Sequence, residues 1–107
     1  MPLIPEPLQH RLIQLRRVLH EYPELSGQEA NTAAVICKFL DGLAIKYRAH
    51  VAGHGVVAEI LGRPGVPCVV LRADTDALPI QEDTGLDFAS VHDGVMHACG
   101  HDGHTTM

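Results

Sequence analysis

Apolar residues recur at helical spacing near the start of the chain. From Pro7 to His20, Leu8, Leu12, Leu15 and Leu19 fall at three- and four-residue steps, which predicts an amphipathic helix. Pro7 suits its first turn and Pro23 lies just past its end. Ser26 followed by Glu29 reads as a capping box, so a second helix is expected to start near Gly27. Ala33, Ile36, Cys37 and Leu40 would form its buried stripe, and Gly42 its stop. The pattern then becomes extended. Tyr47 to Val51 is a weak strand and Val56 to Leu61 a stronger one. The turn residues Gly62, Arg63, Pro64 and Gly65 suggest a hairpin to Cys68–Leu71. Those four residues are continuously apolar, as in a strand covered on both faces. Two helices followed by strands predict an α/β fold with a mixed sheet. From Ala73 to Gly103 no period is evident, and long ordered connections commonly carry function.

Composition narrows the picture without changing it. The chain has 107 residues, enough for one small domain or a part of one, and 46% are hydrophobic, which fits a packed core. A formal net charge of −5 gives no support to nucleic-acid or acidic-membrane binding, both of which need basic surface. No apolar run approaches the roughly 20 residues of a membrane span. Three cysteines far apart, Cys37, Cys68 and Cys99, fit reduced thiols in a cytoplasmic setting better than a disulfide framework.

Two clusters carry chemistry. After the apolar run come Asp74 and Asp76, which share a face if the backbone is extended. Ligands in α/β sheets bind beyond the carboxyl ends of strands, although aspartates are also common where strands simply turn. The second cluster is His97, Cys99, His101, Asp102 and His104, with Gly100 and Gly103 between them. A thiol, imidazoles and a carboxylate are the ligand chemistry of a borderline-soft divalent ion such as zinc, manganese, cobalt or nickel. Bland readings compete: Cys99 as a buried small hydrophobe, histidines satisfied by carbonyls, Asp102 capping a short helix, or adventitious surface binding. A structural zinc site would need a second ligand pair, which is not evident. A Cys99 nucleophile beside His97 or His101 is compatible with the spacing, but the crowd of ligands suits a metal better. His20 sits where the first helix should end, and the helix dipole favours a cation there.

The order Arg17, His20, Pro23, Glu24, Glu29, Thr32, then Gly53, Gly55, Val56 and Val57, resembles the N-terminal part of the metal-dependent amidohydrolases. These are the hippurate hydrolase, N-acyl-amino-acid amidohydrolase and auxin-conjugate hydrolase group, related to aminoacylases and dizinc carboxypeptidases. Arg72 to Ile80 is similar to the family motif Arg-Ala-Asp-x-Asp-Ala-Leu-Pro, with Thr75 where Met is usual. Glu82, Gly85, Phe88, Ser90, Gly94 and Met96 through His104 continue the likeness.

The resemblance implies a dizinc-exopeptidase-like catalytic domain, of which residues 1–107 would be the N-terminal segment. The rest of that domain, with an inserted dimerisation domain, would lie beyond. It implies hydrolysis of the amide bond of an N-acyl amino acid or peptide by metal-activated water, with two divalent ions per complete site and a homo-oligomeric enzyme. Cys99 and His101 match the first two metal ligands. Asp76 matches an acidic residue that supports the site's catalytic machinery, and Asp74, Asp102 and His104 would stand behind the ligands. In the wider group a His ligand often occupies the place of Asp74; in the amidohydrolase branch Cys99 makes up the set. The family's general-base Glu, its adjacent acidic ligand and two later His ligands fall after position 107. The 107 residues alone are therefore expected to be inactive and to bind metal weakly. The alternative is an inactive remnant or a non-enzymatic metal-binding module.

Overall fold

In the structure, a computed structural model, residues 3–107 are described; the first two positions of the expected 1–107 segment lie outside them. Helix α1 runs Glu6–Glu21 and α2 runs Ala30–Gly42. A two-stranded antiparallel sheet follows, β1 Tyr47–Val51 and β2 Gly55–Ala58, and a short helix α3, His101–Thr106, closes the order. The fold is α/β, with the helices where their apolar periods place them.

The details at the helix ends differ from the sequence pattern. Pro7 does occupy the first turn of α1. Helix α2, however, begins at Ala30 rather than near Gly27, and Ser26 does not cap it. Glu24 takes that role from a distance: its carboxylate accepts from the Asn31 and Thr32 backbone N–H groups at 3.3 and 2.5 Å and from the Thr32 hydroxyl at 2.6 Å. The Glu29 carboxylate turns back to the Gly27 N–H at 2.8 Å. Burial opposes the charge of Glu24, but the hydrogen bonds from Thr32 and Asn31 outweigh it and lower the pKa. At the other end, Gly42 is the last helical residue, and the left-handed position falls on Ala44, with φ of 55°.

The hairpin joins β1 to β2, not β2 to residues 68–71. Tyr47 faces Ala58 and Val51 faces Gly55, with a register irregularity between them. A Cβ on Gly55 would meet the Val51 carbonyl oxygen at 2.4 Å, so this close approach requires glycine. Cys68–Leu71 forms no ladder among the described residues, and Val70 and Leu71 are 83% and 92% exposed. The run has the composition of a central strand, but composition reports the surroundings a strand requires and cannot supply the pairing partners.

The long connection is anchored instead through isolated bridges. Ala77 donates to the Glu24 carbonyl at 2.8 Å, and Leu78 and Met96 exchange hydrogen bonds at 2.9 and 3.0 Å. Val91 donates to the Glu21 carbonyl at 2.9 Å. These ties draw residues 77–97 against the end of α1, around buried Leu19, Pro23 and Ala77. The radius of gyration, 15.0 Å, exceeds the roughly 13 Å of a compact domain of about 100 residues. Residues 59–74, all exposed, are the part that stands out of the packing.

Candidate metal centre

The donor-bearing turn is shaped by Gly100. It stands between Cys99 and His101 with φ of 91°, a left-handed conformation that L side chains rarely adopt, and ends the extended chain where α3 begins. Cys99 is exposed, not sealed in aliphatic packing, and is a free thiol, as are Cys37 and Cys68. His101 is half-buried. Its Nδ1 lies 2.8 Å from the Asp76 carbonyl oxygen and 3.0 Å from Asp76 Oδ1. Both are acceptors only, so Nδ1 carries the proton and Nε2 presents a lone pair. That tautomer is the one a metal-binding imidazole needs when its other nitrogen is tied back.

Asp74 lies on the outer side of the same junction. Its Oδ1 accepts from Arg72 at 2.7 Å, and its carbonyl accepts from the Thr105 hydroxyl of α3 at 3.0 Å. Asp74 and Asp76 wall an open cleft of about 920 Å³ shared with Glu29, His54, Arg72 and Thr105. His104 is exposed one turn along α3, its ring centroid 6.1 Å from that of His101.

Asp102 is placed differently from its neighbours. It is 1% exposed and turned toward α1, where Oδ2 accepts from Arg16 Nε at 2.9 Å and from His20 Nδ1 at 2.8 Å. The opposite nitrogen of His20 reaches Glu82 at 3.0 Å. Glu82 also accepts from the Ser90 N–H at 3.0 Å and from the Thr84 hydroxyl. Desolvation opposes ionisation of both carboxylates. The hydrogen bond from His20, the Gly103 N–H and the Arg16 charge overcome it for Asp102, and those from Thr84, Ser90 and His20 overcome it for Glu82. Both pKa values are lowered. His97 is buried in the same region with neither ring nitrogen hydrogen-bonded, and desolvation lowers its pKa.

Sequence reasoning missed this network. From the sequence His20 reads only as a partner of the helix dipole, and Arg16 carries no assigned role. The available signal was spacing: Arg16 and His20 are four residues apart beside the leucine stripe, so they share one flank of the buried face.

The two donors fit a borderline-soft divalent ion, an accessible thiol and an imidazole of the correct tautomer. They do not complete a site. Among the described residues no group of three or more His, Cys, Asp or Glu side chains is gathered so as to hold an ion.

Residues 70–107 match Peptidase family M20/M25/M40, and the chain is similar along most of its length to proteins named as amidohydrolases and deacetylases. It is 53% identical over 98 residues to N-acetyl-L-cysteine deacetylase of Bacillus subtilis, covering 92% of this chain and 24% of that protein. It is 46% identical over 96 residues to the N-acyl-L-amino acid amidohydrolase of Geobacillus stearothermophilus, covering 90% of this chain and 26% of that protein. The fold superposes with a TM-score of 0.90 and 50% identity on the Bacillus subtilis YXEP protein, a dinuclear metal-binding peptidase of the M20 family, over 95% of this chain and 29% of that one. The chain thus spans about a quarter of the length of the relatives it matches. No helix among the described residues is long and apolar enough to cross a membrane.

Proposed function

We propose that this chain supplies the first two metal donors, Cys99 and His101, of an amidohydrolase that cleaves the amide bond of N-acyl amino acids or peptides. One observation carries the reading. The Asp76 carbonyl holds Nδ1 of His101, with the Asp76 carboxylate 3.0 Å away, and this leaves Nε2 for a metal, two residues from an exposed thiol. The relatives support the substrate class, being named for deacetylation of N-acetyl-L-cysteine and hydrolysis of N-acyl-L-amino acids. The two-ion expectation agrees with the dinuclear site named for the YXEP protein.

Zinc, manganese, cobalt or nickel ions, when bound, supply Lewis acidity that polarises the scissile carbonyl and makes water a usable nucleophile near neutral pH. The chain's own residues do the rest of what is assigned here. Cys99 binds as thiolate and His101 as neutral imidazole. Asp76 fixes the His101 ring and, by accepting from Nδ1, raises the basicity of Nε2. Asp74 joins this backbone to α3 through Thr105. His104 stands at the exposed rim and Asp102 anchors the turn from inside. A cytoplasmic setting, supported by three free cysteines, and homo-oligomeric assembly of the longer enzyme belong to the same proposal.

Metal content and activity together test it. In the longer enzyme carrying this segment, Cys99→Ser should lower bound metal and hydrolysis of N-acetyl amino acids in step. Full activity at unchanged metal content would remove Cys99 from the ligand set. The 107-residue chain alone should not hydrolyse hippurate or N-acetyl amino acids, and measurable turnover by it would contradict the division of the site assumed here.

A further inference from the structure

Helix α3 has six residues, too few to hold its own orientation in water. Its N-terminus has no side-chain cap, because Gly100 occupies that position. What holds it comes from elsewhere in the sequence. On one side Thr105 and His101 are tied to Asp74 and Asp76. On the other, buried Asp102 is held by Arg16 and His20 of α1, and His20 is held in turn by Glu82. The ring of Phe88 closes over this line, edge to face with His20 at 5.6 Å and beneath the Arg16 and Arg17 guanidinium groups at 5.4 and 4.9 Å.

We propose that Arg16, His20 and Glu82 are positioning residues for the metal centre: acting through Asp102, they fix the rotation of α3 and so the direction in which His101 presents its donor atom. Neighbouring residues on a helix turn together, so Asp102 cannot be pinned to α1 without also setting the azimuth of His101. Metal donors tolerate errors of only about 0.5 Å and 10–20° before a site is lost. Buried ion pairs are weak stabilisers compared with apolar packing of the same volume, whereas their directionality specifies one arrangement among several. An apolar contact at position 102 could hold α3 down, but it would leave only the Thr105 and His101 ties to set its rotation. The inference rests on the metal reading of Cys99 and His101.

Cobalt(II) titration of the chain separates the two. With wild type, the thiolate-to-cobalt charge-transfer absorption should appear, and Cys99→Ser should abolish it. Glu82→Ala removes the far end of the network without touching α3 or a donor. It should weaken cobalt binding about tenfold, the lower end of the range for outer ligand partners, and reduce the charge-transfer intensity per bound ion. Glu82→Gln, which keeps an acceptor for His20, should restore most of both. Arg16→Gln, at the half-exposed end of the network, should act in the same direction and decides the matter if Glu82→Ala does not fold. Unchanged affinity and spectrum in the folded variants, with only a lower melting temperature, would show a merely structural network and overturn this inference while leaving the metal reading intact. A wild-type chain that never shows the thiolate absorption would bring down both.

Discussion

The α1–α3 end of the molecule and the segment from residue 59 to residue 74 invert the usual rule of burial. At the first, charged and polar side chains are inside: among the described residues His20, His97 and Asp102 are buried there, beside the apolar Leu19, Pro23 and Ala77. At the second, Ile60, Leu61, Val69, Val70 and Leu71 are all more than 80% exposed. The difference separates side chains whose partners lie among the described residues from an apolar run that has none among them. His101 and Asp102 are held internally, by partners 25 to 86 positions away in sequence. The apolar strand candidate is not. A burial test and a metal test therefore probe different ends of the chain.

The comparison breaks most sharply at Asp102. Replacing it with Ala strands Arg16 and His20 and removes a buried carboxylate, which should lower stability by about 3 kcal/mol in urea unfolding. An unchanged midpoint would mean that the polar end is not what holds the fold. Glu24 should matter less. Glu24→Gln loses a charged cap on α2 and should cost about 1 kcal/mol at neutral pH, its partial exposure screening the rest.

Glu24 and Glu82 also give that end a pH signature. Both folded pKa values lie below the ordinary 4.5, so the unfolded state takes up protons first as pH falls. The stabilisation is present above pH 4.5 and is lost as pH drops through the folded values. Melting temperatures of the metal-free chain should fall across that window, and Glu24→Gln should flatten its share of the slope.

How far the sequence reached follows the same division. Helix positions were legible because apolar residues recur at helical spacing, although of the expected stripes only Leu19 is buried and the rest are half-buried. The terminal cluster stood out as a group because donor-type residues stand together in sequence, and Asp76, which holds His101 Nδ1, lay within the matched residues. The start of α2 was not, because Glu24 caps it from five residues before Glu29 and a local capping rule sees only Ser26 and Glu29. The Arg16–Asp102–His20–Glu82 line was not, because its links join residues 62 to 86 apart and no local pattern encodes them. Cys68–Leu71 was given a strand because its composition describes a doubly covered strand, while pairing depends on neighbours that composition does not contain.

Gly100 connects the two kinds of information. A Cβ there would meet no backbone, its nearest neighbour being His104 Nε2 at 3.6 Å, so space does not forbid alanine. The left-handed φ does, and Gly100→Ala should cost about 1 kcal/mol. Because the strain falls between the two proposed donors, cobalt affinity should drop more than stability alone accounts for. Equal behaviour of wild type and variant in the titration would show that the turn does not set donor geometry.

The smallest effect is expected where the apolar residues are most exposed. Val70→Lys should shift stability by no more than about 0.5 kcal/mol, because an 83% exposed side chain has little packing to lose. Hydrogen exchange gives the same contrast without a mutation. Ala77, Leu78 and Met96 donate to backbone carbonyls in the anchored region and should exchange slowly, whereas the amides of residues 68–71 should exchange near the rate of unstructured chain. If Val70→Lys instead destabilised by 1 kcal/mol or more, or if residues 68–71 were protected, the run would be packed in solution, and the two ends of the molecule would differ in how they are buried rather than in whether they are.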